Sequence, residues 1–406
     1  MDESRSPAWL TIVGVGEDGM AGLAEASRAA LAGAEFVIGA QRHLGLVPAV
    51  ASPDAERIEW PVPFADGIER LLALRGRRVV MLASGDPFCL GGGSVVARHL
   101  AVGEWTALPA PSVFSLAAAR LGWPLERTVC VGLHAAPLGR LRAQLAPRLR
   151  MLVTLRDGAA VASLAHWLVA QGFGASTLHV LEALGGVRER TRTTLAAGYA
   201  FSDVAHPVVV GIEAAAEAHA VVPRACGLPD GLFEHDGQIT KRPMRALTLS
   251  ALAPRPGEHL WDIGTGSGSI AIEWLLAHPA NAATAFEADP RRAQRARSNA
   301  CALGVDCLQV IEGRAPAVLD GQPLPDAVFV GGGLSAALLE ALWARLRPGT
   351  RVVCNAVTLE SEALLAQWQA VHGGTLLRIE LAEAAALGSR RGWKSAYPVV
   401  QWSTCR

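Results

Sequence analysis

Two glycine-rich turns stand about 250 residues apart, and the acids around them differ. In Asp262-Ile263-Gly264-Thr265-Gly266-Ser267-Gly268 a carboxylate precedes the glycines; in Val13-Gly14-Val15-Gly16-Glu17-Asp18-Gly19 the acids come after the first pair. Glycine lacks a Cβ, so such a turn lets ligand atoms approach the backbone, and a helix N-terminus behind it offers free N–H groups. Asp262 would repel a pyrophosphate but can accept a hydrogen bond from a ligand amine. Glu287, 25 residues further on, ends the next strand, where a carboxylate can accept from both hydroxyls of a ribose. Gly313-Arg314-Ala315-Pro316 follows the strand after that and could border an adenine. S-adenosylmethionine has an amino group and no phosphate, and it suits this set. A nicotinamide dinucleotide explains Glu287 but not Asp262, and a purely structural loop explains neither.

The first turn draws its meaning from two downstream segments. Ala83-Ser84-Gly85-Asp86-Pro87-Phe88 ends another apolar run, and Pro109 to Leu116, with Ser112 ahead of a helix, comes next. Asp86 reads equally as a ligand contact or as a turn residue before Pro87. Positive charge is supplied almost wholly by arginine: of 37 basic residues only Lys241 and Lys394 are lysine. Each lysine sits in a basic cluster, with Arg242 and Arg245 in one case and Arg390 and Arg391 in the other. Forked guanidinium groups suit carboxylates, while a solvated charged face is the plain alternative.

These residues need strands and helices to carry them. Trp9–Val13, Phe36–Ile38, Val79–Ala83, Met151–Leu155 and Val208–Ile212 read as strands between helical stretches such as Leu23–Ala32 and Val113–Leu121. Residues 214–243 break the rhythm with turn formers. A second alternation follows, with strands at His259–Ile263, Ala283–Phe286, Cys307–Ile311, Ala327–Val330 and Arg351–Asn355. Its helices are Ser269–Ala277, Arg291–Leu303 and Ala336–Leu346, and Trp393–Gln401 is expected to close the sheet. Both halves are therefore α/β.

Composition removes several classes. Net charge is zero, which argues against a nucleic-acid grip. No apolar run approaches the roughly 20 residues of a membrane span, and Met1–Pro7 lacks a signal-peptide pattern. Seven scattered cysteines without C-x-x-C and histidines without H-E-x-x-H indicate neither disulfides nor a metal site. A reducing cytoplasm is expected.

The Asp262–Glu287 set resembles the class I S-adenosylmethionine-dependent methyltransferases, with a Rossmann-like fold. The first turn, Ser84 to Phe88 and Pro109 to Leu116, in that order, resemble the class III methyltransferases acting on tetrapyrroles, with lobes about 1–122 and 123–214. Glu17-Asp18 stands where that family usually has a proline, and Ala110-Pro111 where it has Pro-Gly. A class III domain (1–214), a linker (215–232) and a class I domain (233–406) together resemble the precorrin-6Y C5,15-methyltransferase (decarboxylating) family of cobalamin biosynthesis. The most specific stretches are Phe233 to Pro243 with Arg245, and Ile38-Gly39-Ala40-Gln41-Arg42-His43-Leu44.

That resemblance implies methylation of precorrin-6B at carbons 5 and 15, loss of the carboxyl of the ring C acetate at carbon 12, and precorrin-8X as product. The N-terminal domain would act at carbon 5 and the C-terminal domain at carbon 15. It implies two S-adenosylmethionine sites. One would use Thr240, Asp262, Gly264, Thr265, Gly266, Ser267, Gly268, Glu287, Gly313 and Ala315; the other Gly14, Gly16, Ser84, Gly85, Asp86 and Ser112. Lys241, Arg245, Arg390, Arg391, Lys394, Arg42 and His43 are candidates for the substrate's carboxylates. No catalytic acid, base or nucleophile is singled out, and a homo-oligomer is expected. The alternatives are the cobalt-containing precursor, a methyltransferase with another substrate, an NAD-dependent dehydrogenase and a non-enzymatic tetrapyrrole-binding protein.

Overall fold

A computed structural model describes residues 8–216 and 220–406. The chain divides into two units, residues 1–136 with 146–221, and 137–145 with 222–406. The first seven residues, which carry no signal-peptide pattern, and 217–219 of the expected linker lie outside the described residues.

The first unit holds two sheets. β1 (Leu10–Val15), β2 (Phe36–Gly39), β3 (Glu56–Glu59), β4 (Val79–Ser84) and β5 (Trp105–Leu108) form a parallel sheet in the order β3-β2-β4-β1-β5. β1 and β4 are apolar runs because helices and loops cover both faces of a parallel sheet. β6 (Thr128–Gly132), β7 (Arg150–Thr154), β8 (Thr177–Glu182), β9 (Arg190–Leu195) and β10 (Val208–Glu213) make a mixed sheet, ordered β6-β7-β10-β8-β9. The helix Val113–Leu121 joins the two. Ser112 caps it by accepting from the Ser115 N–H at 3.0 Å, and Gly122 ends it at φ +66°.

The second unit is a seven-stranded sheet. β11 (His259–Ile263), β12 (Ala282–Glu287), β13 (Gln309–Glu312), β14 (Ala327–Val330) and β15 (Arg351–Ala356) run parallel. β16 (Thr375–Ile379) leads into a separate hairpin of β17 (Ala382–Leu387) and β18 (Arg390–Ser395), and β19 (Val399–Cys405) returns antiparallel between β15 and β16. Successive residues of β11 serve opposite cores: Leu260 packs with Trp274 and Phe329, while Trp261 packs with Val328 and Trp402. The order β13-β12-β11-β14-β15-β19-β16 reverses direction at β11, and its carboxyl end is where open α/β sheets bind ligands.

Two expectations are corrected. Trp393–Gln401 is not one strand: Trp393 lies on the hairpin, 79% exposed, Tyr397 and Pro398 interrupt, and the closing strand begins at Val399. Proline cannot donate to a ladder, and pairing breaks there. The expected linker is not free from Val222 onward. Val222 and Leu228 are in the second unit's core, and the N–H groups of Gly227 and Leu228 donate to the buried Glu273 at 2.6 and 2.9 Å.

Candidate functional site

In the second unit, a cavity of about 640 Å³ opens over the carboxyl ends of β11, β12 and β14. Gly264, Gly266 and Gly268 adopt φ values of +70°, +58° and +79°, where other residues are strained. A Cβ on Gly264 would stand 2.6 Å from Gly332, so the turn also needs glycine to pass the end of β14. Glu287 reaches back to hold it, accepting from the Gly266 N–H at 2.8 Å through one oxygen and from the Asp289 N–H at 3.0 Å through the other. Asp262 lies beneath the turn, 1% exposed. Its Oδ2 accepts from the Thr265 hydroxyl at 2.6 Å and the Ala271 N–H at 3.1 Å, while Oδ1 has no partner among the described residues. Burial pushes its carboxyl up to about 6, with the neighbouring Glu287 charge adding to the shift and the two bonds opposing it.

The segment before the fold is bound in by two buried residues. Arg245 is fully buried; it donates to Glu273 at 2.5 Å, to Asp230 at 2.9 Å, and to the carbonyls of Thr240 and Leu228. Asn299 donates to the carbonyls of Glu234 and Ser267 at 3.0 and 2.8 Å and accepts from the Glu234 N–H at 2.8 Å. Thr240 and Lys241 are thereby held at the cavity wall.

The first unit has its own cavity of about 530 Å³, at the carboxyl ends of β1, β2 and β4 and against the second sheet. Its polar wall is a small network. Arg42 pairs with Glu17 and donates to the Ser84 hydroxyl at 2.7 Å and to His43 Nε2 at 2.9 Å, and His43 Nε2 stands 2.8 Å from the same hydroxyl. Arginine only donates, so Nε2 accepts and the ring hydrogen is on Nδ1. Burial, then the Arg42 charge, pull His43 down to about 4, and the ring is neutral at physiological pH. Both cavities fall in the usual range for small-molecule sites, roughly 300–1,000 Å³.

The family models divide the chain as the sheets do. A model described as tetrapyrrole (corrin/porphyrin) methylases matches residues 9–198, and one described as a precorrin methyltransferase domain matches 231–406. A Sinorhizobium protein named precorrin-6Y C(5,15)-methyltransferase [decarboxylating] is 50% identical over 398 residues, 97% of this chain and 96% of that one. A Mycobacterium tuberculosis protein of the same name is 39% identical over 98% of this chain and all of its own. The chain belongs to the precorrin-6Y C(5,15)-methyltransferase [decarboxylating] family. A crystal structure of the C-terminal domain of the Rhodobacter capsulatus member is 53% identical, covering 45% of this chain and 100% of that one, with a TM-score of 0.44.

Most of the residues picked from the sequence of this family member meet at the two cavities. Thr240, Gly264, Thr265, Gly266, Ser267, Glu287, Gly313 and Ala315 line the second, with Lys241. Gly16, Ser84, Gly85, Asp86 and Ser112 line the first, with Arg42 and His43. Four do otherwise. Asp262 and Gly268 support the second turn from outside the lining, and Gly14 passes the Gly85 carbonyl so closely that a Cβ would lie 1.7 Å from it. Arg245 is corrected from substrate contact to structural tie, because burial and four protein acceptors leave it nothing to offer a substrate. Arg390, Arg391 and Lys394 are exposed on the β17–β18 hairpin and do not line the cavity. Asp86 accepts from the Phe88 N–H at 2.8 Å, as a turn residue does, while also lining the first cavity.

Sequence reasoning missed Asn299, Gly331-Gly332-Gly333 and Asn355. The glycine triplet after β14 was a visible signal, since it mirrors the other turns at a parallel strand end. Nothing local marks Asn299 or Asn355, whose partners are 32 to 107 residues away.

Proposed function

We propose that this chain methylates carbons 5 and 15 of precorrin-6B and removes the carboxyl of the ring C acetate at carbon 12, giving precorrin-8X. The observation carrying this reading is a pair of unlike cavities, each at the carboxyl ends of parallel strands, in a chain alike to its relatives from end to end. S-adenosylmethionine fits the second cavity on three counts. The glycine turn admits ligand at the backbone, the Ser267 hydroxyl is buried there without a partner among the described residues, and the Glu287 carboxylate stands where it can accept from ribose hydroxyls. Gly264, Gly266, Ser267, Glu287, Ala315 and Thr240 would hold it, and Gly16, Ser84, Gly85, Asp86 and Ser112 would hold a second molecule in the first cavity. The bound cofactor supplies a methyl group to an electron-rich carbon.

The protein's part is alignment, and effective concentration rather than strong acid–base chemistry lowers that barrier. It needs no nucleophile. Loss of carbon dioxide leaves the bonding electrons in the conjugated macrocycle, which takes up one proton so that a methyl group remains at carbon 12, and apolar walls such as Ile379, Leu381 and Val399 would limit water at the acetate. By resemblance the first cavity serves carbon 5 and the second serves carbon 15 and the decarboxylation. The cobalt-free precursor is favoured, because relatives named for cobalt-precorrin-6B match only part of the chain; the Salmonella typhi one is 32% identical over 40% of it. A cytoplasmic homo-oligomer is part of the proposal, read by the mass of the purified protein in solution; among the described residues no helix is long and apolar enough to cross a membrane.

Mass spectrometry of the product made from precorrin-6B tests the division of labour. Glu287→Ala should yield product methylated at carbon 5 alone, and Asp86→Ala should bias the products the other way. Loss of both methylations in either folded variant would overturn it.

A further inference from the structure

The second cavity contains a side chain amide whose orientation is set by groups that never reach the ligand. Asn355 lies at the carboxyl end of β15 and lines the cavity. Its Nδ2 donates to the Thr248 hydroxyl at 2.9 Å, and its Oδ1 accepts from Gln401 Nε2 at 2.9 Å. Gln401 is its cross-strand partner on β19 and also reaches the Thr248 hydroxyl, at 3.2 Å. That hydroxyl donates onward to the Met244 carbonyl at 2.8 Å. Thr248 is fully buried and Gln401 is 4% exposed. Three polar side chains in an otherwise apolar layer cost stability unless each is satisfied. Here they are satisfied only by one arrangement, which settles which end of the Asn355 amide is nitrogen and leaves it one N–H unused among the described residues.

We infer that Asn355 is a positioning residue for the macrocycle, donating that N–H to a carboxylate of an acetate or propionate that does not react. The inference rests on the proposed function of this cavity. Three features of the place support it. Asn355 is on β15, away from the glycine turn and from Glu287, which the cofactor would occupy. Lys241 lines the same cavity and adds a cation for the same kind of group. The neighbouring walls from Ile379, Leu381 and Val399 are apolar, so a fixed amide there is a directional mark on a surface that otherwise holds a ring system without preference. Thr248 and Gln401 act through Asn355.

The test is a comparison of Asn355→Leu, Thr248→Val and Thr248→Ser with the unaltered full-length chain. Precorrin-6B is varied at saturating S-adenosylmethionine, and cofactor affinity is read by calorimetry. Asn355→Leu and Thr248→Val should raise KM for carbon 15 methylation by about tenfold or more, the size expected for losing a hydrogen bond to a charged group. Cofactor affinity should hold within about twofold, and Thr248→Ser, which keeps the hydroxyl, should restore KM. Unchanged KM in folded Asn355→Leu, or an equal loss of cofactor affinity, would overturn the role of Asn355 alone. No carbon 15 product from the unaltered chain would instead overturn the function on which it rests. If Asn355→Leu does not fold, the Thr248 pair decides the question by the same readings.

Discussion

Asp262 is a carboxylate that folding removes from water and only partly repays with hydrogen bonds. Burial raises it from an ordinary 3.8 to about 6. Between those values the unfolded chain has released its proton and the folded chain still holds it. Stability attributable to this residue therefore falls as pH rises from 4 to 6, by no more than about 3 kcal/mol. Asp262→Asn keeps an oxygen for Thr265 and Ala271 and has no proton to lose. In the cofactor-free protein, the melting temperature of the variant minus that of the unaltered chain should climb across pH 4 to 6 and then level. A difference independent of pH would show that folding does not shift the Asp262 carboxyl. His43 runs the opposite way: burial and Arg42 keep it neutral, and it is better suited to orienting the Ser84 hydroxyl than to exchanging protons near neutrality.

Single elements differ sharply in what they hold. The helix Arg242–Leu252 carries Arg245 inward, where its guanidinium ties the carbonyls of Leu228 and Thr240 to Glu273 on the helix Ser269–Ala277. Breaking a buried pair leaves the partner charge stranded, so Arg245→Ala should destabilise the second unit by about 3–5 kcal/mol in denaturant unfolding. The β17–β18 hairpin is the contrast. Its Arg390, Arg391 and Lys394 are exposed, and replacing all three with alanine should move stability by no more than about 0.5 kcal/mol per site. If these charges greet the acidic substrate, KM for precorrin-6B rises in that variant and falls less steeply with dilution of salt. An unchanged KM and salt dependence would assign them to the solvated face.

At the scale of the whole molecule, two methyltransferase architectures follow one another in a chain that its relatives match from end to end. Among the described residues their cavities share no lining residue. Calorimetry with S-adenosylmethionine should therefore count two sites per chain, and Glu287→Ala should remove or weaken one about 10- to 100-fold, as expected when bonds to a charged carboxylate are lost. A single site in the unaltered chain would contradict the paired reading. The α/β architecture and the strand-end turns were legible in the sequence because they depend on short-range features. An apolar run of four to six residues, a glycine where φ must be positive, and an acid at a strand end are local necessities. The hairpin boundary was misread for the converse reason: Trp393 looks like a strand residue, and only the pairing partner of each segment tells a hairpin from the main sheet.

The sequence alone therefore determined the two folds, their order, and the turns with Glu287 and Ser84 to Asp86 beside them, because each is written within one element and its flanks. The tertiary structure decided which charged and polar groups face a ligand and which face the protein. Arg245 and Lys241 are four residues apart, yet one is fully buried among four acceptors and the other borders a cavity. Asn355 owes its orientation to Thr248 and Gln401, 107 and 46 residues away. Burial and partner geometry depend on contacts between distant segments, and no local pattern encodes them.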